Sequence, residues 1–164
     1  MARKKELKIP PLFSLDTVLS ETKAAVSEQS ARISSIDTRL GVLLGLSGVI
    51  LAALLSFPSI RYGDLATKWL LIAAVVLILV SLLSATWGYW IRKYKAPPDP
   101  MALREFYLTE EQEKTKLAII DYLSSVYSWN QPIIEDKVKY TRISFASVLL
   151  GTIIIGVIIV IGVV

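Results

Sequence analysis

Three long runs without one ionisable side chain constrain this chain more than any other feature. They are LGVLLGLSGVILAALLSFPSI (40–60), WLLIAAVVLILVSLLSATWGYWI (69–91) and ISFASVLLGTIIIGVIIVIGVV (143–164). A helix needs about 20 predominantly apolar residues to cross a bilayer, and each run supplies them. The alternative, a buried core helix, fails on size: three such helices in 164 residues leave too little chain to cover them. The runs therefore predict an all-α integral membrane protein with three transmembrane helices and a helical cytoplasmic subdomain. The first run begins at Leu40, too far along the chain for the apolar region of a signal peptide, so it reads as a retained span.

Orientation follows from the cations beside the spans. Sixteen of the eighteen Lys and Arg residues lie in 1–39 and 92–142, and only Arg61 and Lys68 stand in the short loop 61–68. The N-terminus and the 92–142 segment are thus expected in the cytoplasm, with the C-terminus outside. Trp69, Trp87, Tyr89, Trp90 and Tyr94 stand where an interfacial aromatic belt belongs. The net charge of +4 is then a topology signal joined to attraction for anionic lipid head groups. No regular basic–aromatic interleaving points to nucleic acid, so no nucleic-acid partner is expected. The absence of Cys and His removes thiol nucleophiles, disulfides and the commonest metal ligands. With no Ser beside a base and the acids scattered over helix starts and loops, no catalytic residue, metal or cofactor is expected, and the chain does not read as an enzyme.

The flanking segments read as helices that feed the spans. A basic leader, 1–13, is broken at Pro10-Pro11, and Ser14 is placed to cap a helix over 14–39. Leu15, Leu19, Thr22, Val26, Gln29, Ile33, Ile36 and Leu40 follow at alternating intervals of four and three, the heptad spacing of a coiled coil. Such a seam either lies on the bilayer surface or packs against another helix, in the same chain or a neighbour, and the spacing favours packing. The 92–142 segment opens with the stiff Ala96-Pro97-Pro98-Asp99-Pro100 break. Thr109 and Gln112 then form a capping box, and Leu117, Ile120, Leu123, Val126 and Tyr127 mark one face. Pro132 is expected to kink or end this helix near Trp129–Asn130, leaving a kinked helix and a hairpin both open.

Within the spans, ion-coupled transport lacks the intramembrane ionisable groups it needs. Small residues recur instead at helix-packing spacing: Gly41, Gly45 and Gly48; Ser81 with Ala85; Ser84 with Gly88; Thr152 with Gly156. These faces serve either packing among the three helices or self-association into a homo-oligomer. A pore built from many copies would be lined by hydroxyls and small residues or would open by dewetting.

The stretch RISSIDTRLGVLLGLSGVI (32–50), in which Asp37 and Arg39 precede a Leu/Gly-rich span, resembles the entry to the first span of small membrane effectors of the Pycsar type. Gln112, Tyr122, Asn130, Lys139 and Tyr140, leading into the third run, are similar too, and SLATT proteins have a related layout. The resemblance covers most of the chain. It implies a prokaryotic inner-membrane effector of anti-phage defence that answers a nucleotide second messenger, with a cyclic nucleotide as a candidate partner, by impairing the membrane. It further implies Asp37, Arg39, Asn130 and Lys139 as ligand-responsive positions. No cyclic-nucleotide-binding domain is recognisable, so a ligand would have to fit among the cytoplasmic helices or between subunits. The competing expectation is a non-conducting scaffold or accessory subunit that docks a cytoplasmic protein through the same helices.

Overall fold

The computed structural model describes residues 14–56, 65–90, 94–99, 101 and 110–163. Three helices account for nearly all of them: α1 (Leu15–Ser56), α2 (Leu65–Tyr89) and α3 (Gln112–Val163), each long and apolar enough to cross a membrane. No strand occurs among the described residues. The fold is all-α, as the three runs require.

α1 starts directly after Ser14, whose carbonyl accepts the Val18 N–H at 2.9 Å, as an N-cap residue's should. Its 42 residues include both the expected seam and the apolar run to Ser56. α2 begins at Leu65, so Leu65–Lys68, assigned above to the loop, add a first helical turn. Leu, Ala and Lys are good helix formers, which explains the extension. The capping-box Thr109, the Pro10-Pro11 break and the ends of the 61–68 loop nearest the first span lie outside the described residues. Pro132 does not end its helix: α3 runs through it for 52 residues. Proline removes one backbone hydrogen bond and crowds the preceding turn, at about 3 kcal/mol. The turns on either side, anchored by buried Asn130 and Ile134, hold the helix across that single break. From Gln112 onward the hairpin alternative is excluded.

The chain divides into two units. The first comprises Met1–Ser30 and Tyr94–Asn130. Here Val26 of α1 is buried with Leu123 and Val126 of α3, and Ile119 packs against them. The Gln29 side chain donates to the Tyr127 carbonyl at 3.0 Å, and Lys116 pairs with Asp16 at 2.5 Å. The polar seam residue Gln29 is therefore satisfied rather than wasted, since its amide meets a backbone acceptor once it leaves water.

The second unit comprises Ala31–Lys93 and Gln131–Val164. Its core takes Ile36, Leu40, Leu43 and Leu54 from α1, Ile78 and Ala85 from α2, and Ile134 and Val148 from α3. Along α2 the buried positions Ala74, Ile78, Ser81, Ala85 and Gly88 repeat at four and three, so one narrow stripe of this helix faces its neighbours. Most other apolar residues of α2 point outward. That distribution suits lipid, whose tails are as apolar as the side chains they touch. Trp69 at one end of α2 and Trp87 and Trp90 at the other are also exposed. Eighteen helical positions separate Trp69 from Trp87, about 27 Å at 1.5 Å per residue, close to the thickness of a hydrocarbon core.

Candidate functional site

Among the described residues of the second unit, charge is buried at one place. Lys137 is only 2% exposed, and its ammonium meets the carboxylate of Asp37, whose side chain is 33% exposed. Asp37 lies between the buried seam residues Ile36 and Leu40, and Lys137 follows buried Ile134 by three positions. Helical spacing thus turns both side chains toward one another across α1 and α3. The basic partner is Lys137 and not Lys139, which is exposed. Two residues on a helix are about 200° apart, so both lysines cannot face the same neighbour. The clue lay in the seam: Asn130, Ile134, Lys137, Thr141 and Ser144 continue a four-three repeat, and a cation within such a repeat demands an acid opposite.

Arg39 is exposed and lines a cavity of about 500 Å³ together with Thr38, Thr141 and Arg142. Asn130 belongs to the first unit, where it clamps the segment 94–99. Its Oδ1 accepts from the Lys95 N–H at 3.0 Å, and its Nδ2 donates to the Lys95 carbonyl at 3.1 Å. The Lys95 ammonium reaches Ser125 Oγ at 2.7 Å and lies 5.1 Å from the centre of the Tyr122 ring. Tyr122 in turn donates to the Ala96 carbonyl at 3.2 Å. The expected ligand-responsive positions thus fall into distinct settings: Asp37 in an ion pair, Arg39 on a groove, Asn130 in a backbone clamp and Lys139 on the surface.

The same unit holds a second cavity, about 410 Å³, lined by Glu21, Thr22, Ala25, Ser124 and Tyr127. It combines an aromatic ring with hydroxyl and carboxylate groups, a lining able to hold a planar, hydrogen-bonding ligand.

At the centre of the second unit three serines meet. Ser47, Ser81 and Ser144, one from each helix, have no exposed surface, and Ser81 Oγ lies 2.9 Å from both of the others. Each hydroxyl finds its partner inside the bundle, where an unpaired one would be costly. In the sequence only Ser81 of the three stood out, for its spacing to Ala85. Their spacing on separate helices gave no sign that they share one level.

The small residues separate into two sets. A Cβ at Gly88 would lie 3.0 Å from Tyr140 Cβ, and one at Gly151 would lie 2.9 Å from Ile78 Cδ1, so these two glycines let helices within the unit close up. Gly41, Gly45, Gly48 and Gly156 have nothing within 4 Å of a built Cβ. Ser84 is half-buried, and the Thr152 hydroxyl returns to the Val148 carbonyl at 2.8 Å. Among the described residues, therefore, nothing packs closely against the α1 glycines. Among the described residues no group of three acidic, His or Cys side chains is placed to hold a metal ion.

Neither curated proteins nor solved structures give a match to the chain. A family model, the Pycsar effector protein domain, matches residues 21–164, which takes in all three apolar helices, the Asp37–Lys137 pair and the serine cluster. This is a domain of membrane-associated effectors of anti-phage defence and not a known enzyme family. A multi-pass helical membrane protein matched over nearly its whole length by that model belongs to the Pycsar effector family.

Proposed function

We propose that the protein is a non-enzymatic effector that assembles as a homo-oligomer in the prokaryotic inner membrane and permeabilises it, with a nucleotide signal as the trigger. Its N-terminus and the 92–142 segment lie in the cytoplasm, as the distribution of cations supports. One observation carries the oligomer: Gly41, Gly45 and Gly48 form a small-residue stripe on α1 with open space beside it. Glycine costs a helix about 1 kcal/mol relative to alanine. Three glycines on a face that no other described helix approaches need a use, and close approach of a second copy supplies one. Exposed Val49 and Leu55 beside the stripe would give that contact its apolar flanks.

The trigger is assigned to the first unit, whose cavity beside Tyr127 offers a ring for a base to stack on and Glu21, Thr22 and Ser124 for its polar edge. The scaffold reading relied on the α1 seam as a docking face. Val26 of that seam is buried against Leu123 and Val126 of the same chain, so it is not free for a partner.

The test is Gly45→Leu in the full-length protein. It should keep expression and membrane insertion, because a Cβ there has nothing within 4 Å among the described residues. It should lose cross-linked oligomers, nucleotide-triggered leakage from liposomes and protection against phage. Leakage at the level of the unsubstituted protein would refute the role of the stripe.

A further inference from the structure

α1 and α3 enter their apolar runs through the same three-residue step. Thr38-Arg39 precedes Leu40, and Thr141-Arg142 precedes Ile143, with no charged residue beyond either arginine within the run that follows. The structure brings both steps to one groove of about 500 Å³ in the second unit. Its upper part carries two guanidinium groups. The nearest acid on α1, Asp37, is occupied by Lys137, and among the described residues no carboxylate is paired with Arg39 or Arg142. Its lower part is Val42, Leu46 and Phe145, all exposed. The groove is therefore dicationic at the membrane boundary and apolar immediately beneath it.

We infer that this groove is a binding site for an anionic glycerophospholipid, with the phosphate on Arg39 and Arg142 and an acyl chain along Val42, Leu46 and Phe145. Guanidinium groups bind phosphate oxygens in pairs, and basic pockets between membrane helices on the cytoplasmic side suit lipid head groups. A soluble phosphate ester would satisfy the arginines but leave the apolar half of the groove uncovered. A zwitterionic head group would bring its own cation toward two others. The threonines refine the choice. Thr38 Oγ1 donates to the Ser34 carbonyl at 2.9 Å and Thr141 Oγ1 to the Lys137 carbonyl at 2.8 Å, so both offer only lone pairs to a ligand. A head group rich in hydroxyl donors fits them, which points to phosphatidylglycerol.

The experiment uses full-length protein in a neutral detergent, with thermal melts against phosphatidylglycerol, phosphatidylcholine and the lipid-free head group glycerophosphoglycerol. Phosphatidylglycerol should raise the melting temperature where the other two do not. Arg39→Gln/Arg142→Gln should weaken its apparent affinity at least tenfold. The charge-matched control Arg32→Gln/Lys139→Gln, at two exposed positions, should leave it unchanged. Equal stabilisation by phosphatidylcholine would overturn the inference, as would an equal loss in the control, which would reduce the effect to bulk charge. A shift with glycerophosphoglycerol, or with a cyclic nucleotide, that depends on the same two arginines would assign the groove to a soluble ligand instead. Should the double Gln variant fail to fold, native mass spectrometry of the unsubstituted protein decides. Phosphatidylglycerol should be retained over phosphatidylethanolamine from a membrane containing both, and equal retention would count against the site.

Discussion

The Asp37–Lys137 pair makes a prediction about which partner matters. Lys137 is 2% exposed and Asp37 33%, so the two charges differ in their access to water once separated. Asp37→Ala removes the carboxylate that faces a buried ammonium in the packed interface of α1 and α3. Breaking a buried pair from one side costs about 3–5 kcal/mol, and the partial exposure of Asp37 places this case near 3 kcal/mol. Lys137→Met replaces the cation with an apolar side chain of similar length and leaves Asp37 able to hydrate, so the loss should be about 0–1 kcal/mol. The double variant should resemble Lys137→Met alone, giving a coupling of about 3 kcal/mol. Read as thermal unfolding in detergent, at about 2–4 °C per kcal/mol, Asp37→Ala should melt about 6–12 °C lower and the other two within about 4 °C of the unsubstituted protein. If Lys137→Met proved as damaging as Asp37→Ala, or the double variant no better than Asp37→Ala, the burial asymmetry would not be what governs this pair.

Two further predictions concern polar contacts. Ser81→Ala removes the shared partner of Ser47 and Ser144, and at about 0.6 kcal/mol for each membrane hydrogen bond it should cost about 1 kcal/mol by detergent unfolding. The triple alanine variant at 47, 81 and 144 should be no less stable than Ser81→Ala, because it leaves no orphaned hydroxyl. Asn130→Ala releases both backbone bonds to Lys95, so hydrogen exchange of the Lys95 amide should rise about tenfold or more while the amides of α2 keep their protection.

Much of this architecture was legible because it rests on periodicity. The uncharged runs identified three helices, and the four-three seam on α1 anticipated burial of Leu15, Val26, Gln29, Ile36 and Leu40 inside the chain. What periodicity on one helix cannot give is the partner on another. Asp37 was singled out, yet its cation proved to be Lys137, because pairing depends on how α3 is turned toward α1. Gly41 and Gly88 looked alike in sequence, but Gly88 is closed against Tyr140 and Leu40 while Gly41 faces open space. Of the two outcomes expected at Pro132, an end to the helix is excluded, since a single lost bond is a local cost and the neighbouring turns of α3 outweigh it.

The serine cluster has a mechanical consequence. Three hydroxyls joined at one level act as a key in a slot: turning any one helix by a single residue, about 100°, would swing its oxygen out of reach of the others. The azimuth of each helix is therefore fixed while the cluster is intact, although the latch itself is weak. Two bonds at about 0.6 kcal/mol apiece hold it, so parting them shifts the closed-to-open ratio by less than about tenfold. Spinning a helix and splaying it outward both part these same two bonds, so the cluster sets the register of the closed bundle without locking it shut.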